Sequence, residues 1–162
     1  MLPVTFLPVD LERDADVCVL FRRDAHVCSF GHGDAFATMA DGATGYLQGL
    51  RERLASLPAG IVHVWRDARI IGQIEARIPA GASGGYISLF YLVPEERGAG
   101  AGDALHEYAV SLFRRHQLAE ARLSVSPTNP RAVRYYQKHG WRDLGPRPGA
   151  EPVHLMELEI PP

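Results

Sequence analysis

The chain has 162 residues, enough for one domain with a single core, and its 46% apolar and 22% charged content is that of an ordinary soluble globule. A formal net charge of −2 argues against a nucleic-acid surface, and no apolar run reaches membrane-spanning length. The N-terminus lacks the layout of a signal peptide, and Cys18 and Cys28 carry no Cys/His metal spacing, so a reduced cytoplasmic setting without a metal is expected.

Val4 to Val9 alternates as a short strand, and Asp10 reads as the N-cap of a helix from Leu11 to Asp24. His26 to Asp41 is polar and Gly-rich and is expected to be a loop. A second helix is predicted from Ala43 to Leu57, with Tyr46, Leu47, Leu50 and Leu54 on its buried face, ended by Pro58 and Gly60. Ile61 to Arg66 and Arg69 to Ile78 read as strands joined at Asp67–Ala68, followed by a loop from Gly81 to Gly85.

Tyr86 to Val93 is an apolar, β-prone run stopped by Pro94, and EERGAGAG then leads into an amphipathic helix from Asp103 to His116. A strand, a Gly-rich turn and a helix start together make an anion site, because the first N–H groups of a helix lack intrahelical partners and its dipole favours negative charge. Gly98, Gly100 and Gly102 allow close approach of a ligand, and Arg97 adds a forked cation suited to phosphate. The stretch therefore reads as the grip on a pyrophosphate. A Walker loop is excluded by the absence of lysine, and a dinucleotide fingerprint by Asp103 where a third glycine belongs. Beyond it, Ala121 to Val125 is predicted as a strand and Asn129 to His139 as a helix closed by Gly140. Trp141 to Leu144 and Val153 to Ile160 read as an antiparallel pair. The expectation is one domain over residues 1–162, of α+β class.

Arg97, Gly100 and Gly102 match the Arg/Gln-x-x-Gly-x-Gly/Ala signature of the GNAT superfamily, the acyl-CoA-dependent N-acetyltransferases. Asn129, Ala132, Tyr136, Lys138, Gly140 and Trp141 match a later motif of the same family. The resemblance covers about Ile61 to Ile160. It implies a three-layer α/β/α domain around a mixed, mostly antiparallel sheet, with acetyl-CoA as cosubstrate and an amine as acceptor. It also implies coenzyme contacts at Leu92, Val93, Arg97, Gly98, Ala99, Gly100, Ala101, Gly102, Asp103 and Asn129. The pantetheine arm would enter a splay beside the main chain of Tyr91 to Val93, and the N–H near Leu92 would serve the thioester oxygen.

By its motif position Tyr136 is expected to protonate the leaving thiolate, while Tyr135 points elsewhere. Some relatives carry a Glu where this chain has Tyr86, with Ser88 beyond it, so Glu75 on the neighbouring strand becomes the candidate base. His32 and Asp34 are candidate acceptor contacts with Tyr86 and Ser88, whereas His106 and His116 read as surface or interfacial. The implied reaction is direct acetyl transfer to a primary amine of a small molecule. Alternatives are a non-catalytic acyl-CoA sensor, an acetyltransferase of peptide N-termini, and a covalent route through Cys18 or Cys28. The oligomeric state is left open, a homodimer included.

Overall fold

The structure, a computed structural model, describes residues 3–30, 42–149 and 152–162. The Asp10 carboxylate separates β1 (Thr5–Pro8) from α1 (Leu11–Phe30) by accepting the N–H groups of Glu12 and Arg13 at 3.1 and 3.3 Å. α1 does not stop at Asp24, as the sequence reading expected. Residues 25–30 contain neither Gly nor Pro, and polarity alone does not unwind a helix. The helix is kinked at Asp14, where φ and ψ are −118° and 21°.

There follow α2 (Gly42–Ser56), β2 (Ile61–Arg66), β3 (Arg69–Arg77), β4 (Gly84–Leu92), α3 (Ala101–Arg115), β5 (Glu120–Val125), α4 (Pro130–Lys138), β6 (Arg142–Arg147) and β7 (Val153–Glu159). β4 begins earlier than expected because Gly84 and Gly85 pair with Glu120 and Ala121. A Cβ on Gly85 would lie 2.3 Å from the Phe113 ring, so the missing side chain is what lets α3 pack there. β6 runs on to Arg147 through an irregularity between Asp143 and Pro146.

The strands form one seven-stranded sheet in the order β1-β2-β3-β4-β5-β7-β6, antiparallel except where β4 meets β5. Alternation along β2 assigns the layers. Val62 and Val64 join the core under α3 with Leu105, Ala109 and Phe113, whereas Ile61 packs with Cys18, Tyr46 and Leu50 of α1 and α2. Helices thus cover both faces, giving the three-layer α+β domain the sequence implies. Among the described residues no helix is long and apolar enough to cross a membrane.

Two irregularities shape the site. Glu75 pairs with Leu89 and Ala76 with Ile87, which leaves Ser88 as a bulge without a partner. The extra residue resets the alternation: Ile87 joins the core under α3, while Leu89 and Tyr91 pack on Phe21 of α1. β4 and β5 then pair only through Ile87 and Leu123, although the strands continue to Leu92 and Val125. A gap opens between them.

Candidate active site

The gap widens into a cleft of about 700 Å³ bounded by α1, β4, the Gly-rich loop, β5 and α4. At its loop end, Gly98 and Gly100 have φ of 78° and 97°, values that side-chain-bearing residues rarely adopt. Gly100 is the N-cap of α3 and has no side chain to satisfy the helix start. Among the described backbone bonds, none uses the N–H of Gly98, Ala99, Gly100, Ala101 or Gly102, whereas the Asp103 N–H is taken by Gly100 O at 3.2 Å. A row of free amide hydrogens at a helix start is what an anionic diphosphate requires.

The Arg97 side chain does not reach forward over this row. Its Nε donates to Leu92 O at 2.9 Å, its guanidinium lies 5.5 Å from the centre of the Tyr91 ring, and its outer nitrogen is 3.6 Å from the Asp24 carboxylate. Tyr91 Oη also donates to Asp24, and burial with that carboxylate raises the phenol's pKa. The forked cation that does stand at the loop is Arg131 on α4. One of its terminal nitrogens is 3.5 Å from where a Cβ on Gly98 would be. Arg131 was not singled out from the sequence; its place two residues past the capping Asn129 was the available signal.

Along the gap, Val93 N–H donates to Ile71 O at 2.9 Å, so the polar groups of Val93 face β3. Alternation turns the N–H and C=O of Leu92 to the opposite edge, where its carbonyl meets Arg97. Tyr136 faces the cleft from α4, half-buried, with its ring 6.4 Å from Phe90 and 5.8 Å from Trp141. Among the described residues nothing hydrogen-bonds its hydroxyl, and desolvation raises its pKa, which keeps the phenol protonated. Tyr135 is spoken for: its hydroxyl donates to Gly102 O at 2.8 Å and lies 3.4 Å from Asp103 Oδ1. Asn129 caps α4 by accepting the Ala132 N–H at 3.3 Å, and its side chain also borders the cleft.

At the other end Tyr86, Ser88, Ser124, Arg22, Arg77 and Arg147 line the cleft. Tyr86 Oη and Ser124 Oγ are 2.7 Å apart, and one Arg147 nitrogen donates to both.

The model of the acetyltransferase (GNAT) family matches residues 22–141. The chain belongs to that family. It is 29% identical over 87 residues to the mycothiol acetyltransferase of Acidimicrobium ferrooxidans; the match covers 52% of this chain and 28% of that longer protein. Its fold matches the PaiA N-acetyltransferase of Thermoplasma acidophilum, solved with coenzyme A, at a TM-score of 0.74 and 19% identity, over 97% of this chain and 99% of the other. The spermidine N-acetyltransferase of Vibrio cholerae, solved with CoA and spermine, matches at 0.72 and 18%, over 97% and 95%. At these identities the likeness is one of fold.

Within this GNAT domain Leu92, Arg97, Gly98, Gly102, Asn129, Tyr136, Tyr86 and Ser88 line one cleft, whereas Val93, Ala99, Gly100, Ala101 and Asp103 are not among its lining. Glu75 lies outside the cleft too. It is buried at 1% exposure between the sheet and α2, where its Oε2 accepts Tyr46 Oη at 2.5 Å and Gln73 Nε2 at 2.9 Å, and its Oε1 lies 3.6 Å from Arg53. Cys18 is in the same cluster, its thiol 3.6 Å from His63 Nε2 and pushed up to about 12, chiefly by burial. Cys28 borders the cleft. Ser88, as the bulge, breaks the alternation that would have made it face with Tyr86, and its carbonyl accepts from Arg22 at 3.0 Å. His106 is interfacial, accepting the Trp141 indole N–H at 2.9 Å. His32 and Asp34 lie outside the described residues.

Proposed function

We propose that this chain transfers the acetyl group of acetyl-CoA directly to a primary amine of a small molecule, both bound at once in the cleft. The observation that carries the reading is the position of Tyr136, a protonated and unengaged phenol facing the gap next to the outward edge of β4. The unpaired amides from Gly98 to Gly102, with Arg131 beside them, suit the diphosphate. The Leu92 N–H is aimed to receive the thioester oxygen as it gains charge, a contact worth about 3 kcal/mol in comparable oxyanion sites.

The amine nitrogen attacks the thioester carbon, the C–N bond forms and the C–S bond breaks. Tyr136 gives its proton to the departing sulfur and regains one from solvent, to which the nitrogen's surplus proton is lost. Among the described lining residues there is no Asp or Glu to act as base. Five arginines border the cleft instead, and nearby positive charge disfavours the protonated form of a bound amine. Neutral amine is thus favoured without a dedicated carboxylate, and most of the rate comes from holding two reactants in line.

The test is release of coenzyme A thiol from acetyl-CoA in the presence of single amines and a short peptide with a free N-terminus. Thiol release driven by a small amine supports the reading. Release no faster than in buffer, with tight coenzyme binding retained, would make the chain a sensor. Release with the peptide alone would move the acceptor class to protein N-termini.

A further inference from the structure

The cleft's charge is one-sided. Its described lining contains Arg22, Arg77, Arg97, Arg131 and Arg147 but no aspartate or glutamate. Arg97 is answered by Asp24, and Arg131 stands at the loop that suits the diphosphate. The remaining three gather at the opposite end. The guanidinium groups of Arg77 and Arg147 lie 5.0 and 5.9 Å from the centre of one ring, that of Tyr86. Arg147 is fixed there by its bonds to Tyr86 Oη and Ser124 Oγ, at 3.1 and 2.9 Å, and Arg22 by its bond to Ser88 O. Among the described residues neither Arg77 nor Arg147 has a carboxylate within ion-pair distance.

Two like charges converging on one aromatic ring repel each other, and an anion between them would relieve that repulsion. Among the described residues no carboxylate supplies one, and Arg77, Tyr86 and Arg147 all line the cleft. Resting on the transfer reading above, we infer that the acceptor amine carries an anionic group, a carboxylate or a phosphate, which Arg77 and Arg147 hold over Tyr86. A guanidinium fork suits both groups. The strand sets the spacing. Phe90, beside Tyr136, is four positions from Tyr86, at most about 13 Å of chain at ~3.3 Å per residue and less across the Ser88 bulge. Amine and anion are therefore separated by several carbons, more than an α-amino acid provides. A polyamine would bring positive charge to a positive end and is disfavoured.

Four six-carbon amines differing at the far end test this: hexylamine, ε-aminocaproate, aminohexyl phosphate and hexamethylenediamine. In thiol-release assays an anionic acceptor should have kcat/KM about tenfold or more above hexylamine, with the diamine poorest. The better of the two anions identifies the headgroup. The double variant Arg77→Ala/Arg147→Ala changes only exposed side chains. It should bring the anionic acceptors down to the level of hexylamine while leaving KM for acetyl-CoA unchanged. Calorimetry with coenzyme A already bound separates the two readings. Preferential binding of an anionic probe, lost in the double variant, supports the anion site even if no probe is acetylated, and only the transfer reading would then fall. Equal binding and turnover of all four probes, or preference for the diamine, overturns the inference and leaves acetyl transfer standing.

Discussion

Arg97 Nε donates to the carbonyl oxygen of Leu92 at 2.9 Å, tying the Gly-rich loop to the end of the strand that borders the gap. The same guanidinium lies 3.6 Å from Asp24 on α1, so three segments meet on one side chain. On the proposed reading, its contribution to coenzyme binding is to fix the loop's shape. Arg97→Ala should weaken coenzyme A binding about tenfold, the effect of losing one charge-assisted hydrogen bond of ~1.5 kcal/mol. Arg97→Lys should not restore it, because a single ammonium cannot serve Leu92 and Asp24 from the positions a fork occupies. Isothermal titration with coenzyme A reads this directly. Wild-type affinity in Arg97→Ala would remove the residue from the binding account.

Tyr136 and Tyr135 are neighbours with different employment, and that contrast makes the general-acid role testable. Tyr136→Phe should lower kcat about 10²-fold with coenzyme affinity unchanged, since only proton donation is removed. Tyr135→Phe loses the bond to Gly102 O and should act on coenzyme binding instead. Desolvation holds the Tyr136 pKa above its ordinary value. The protonated, active form therefore persists as pH rises, and kcat should show no alkaline decline from this group below about pH 10. An undiminished kcat in Tyr136→Phe would sink the assignment.

The end of the cleft proposed to hold the coenzyme has features legible in the sequence because they are local. Free amides and positive φ at Gly98 and Gly100 follow from a short run of glycines after a strand, and Asn129 with Tyr136 sits at fixed helical spacing in a single motif. The acceptor half was less legible because it depends on register. Strict alternation would put Ser88 on the Tyr86 face, and only the pairing of β3 with β4 reveals the bulge that breaks the count. Likewise, an isolated Glu in an apolar strand looks catalytic until its partners are known. Gln73 shares the Glu75 face of β3, but Tyr46 and Arg53 come from α2, and nothing in the sequence pairs those two with Glu75. The convergence of Arg22, Arg77 and Arg147 was hidden for the same reason: they lie on α1, β3 and β6.

Glu75 provides the sharpest test of that difference. With both oxygens engaged between the sheet and α2, its removal should cost stability more than chemistry. Glu75→Gln keeps the shape but weakens hydrogen bonds to a charged acceptor, a loss of about 2 kcal/mol and roughly 4–8 °C in Tm for a chain this size. At a temperature where the variant is folded, its pH–rate profile should match the wild type. Loss of the acid-side limb from that profile, with Tm unchanged, would return Glu75 to the role of base.

Acid should weaken the fold through one buried and one half-buried imidazole. His63 is 1% exposed, with its Nε2 2.8 Å from Gln73 Oε1, and desolvation lowers its pKa despite the opposing charges of Asp14 and Glu75. His106 is lowered too, chiefly by desolvation, and its Nε2 must accept from the Trp141 indole, which only donates. In both cases the folded state binds the proton less readily than the unfolded chain, whose imidazoles titrate near ~6.5. Stability is thus at its full value above that pH and falls as the pH drops from about 6.5 toward the lowered folded pKa. Urea midpoints taken between about pH 7 and pH 5 should decline, and His63→Gln should flatten the slope relative to its own value at pH 7. Midpoints that stay level in the wild type across that interval would show that neither imidazole is held neutral by the fold.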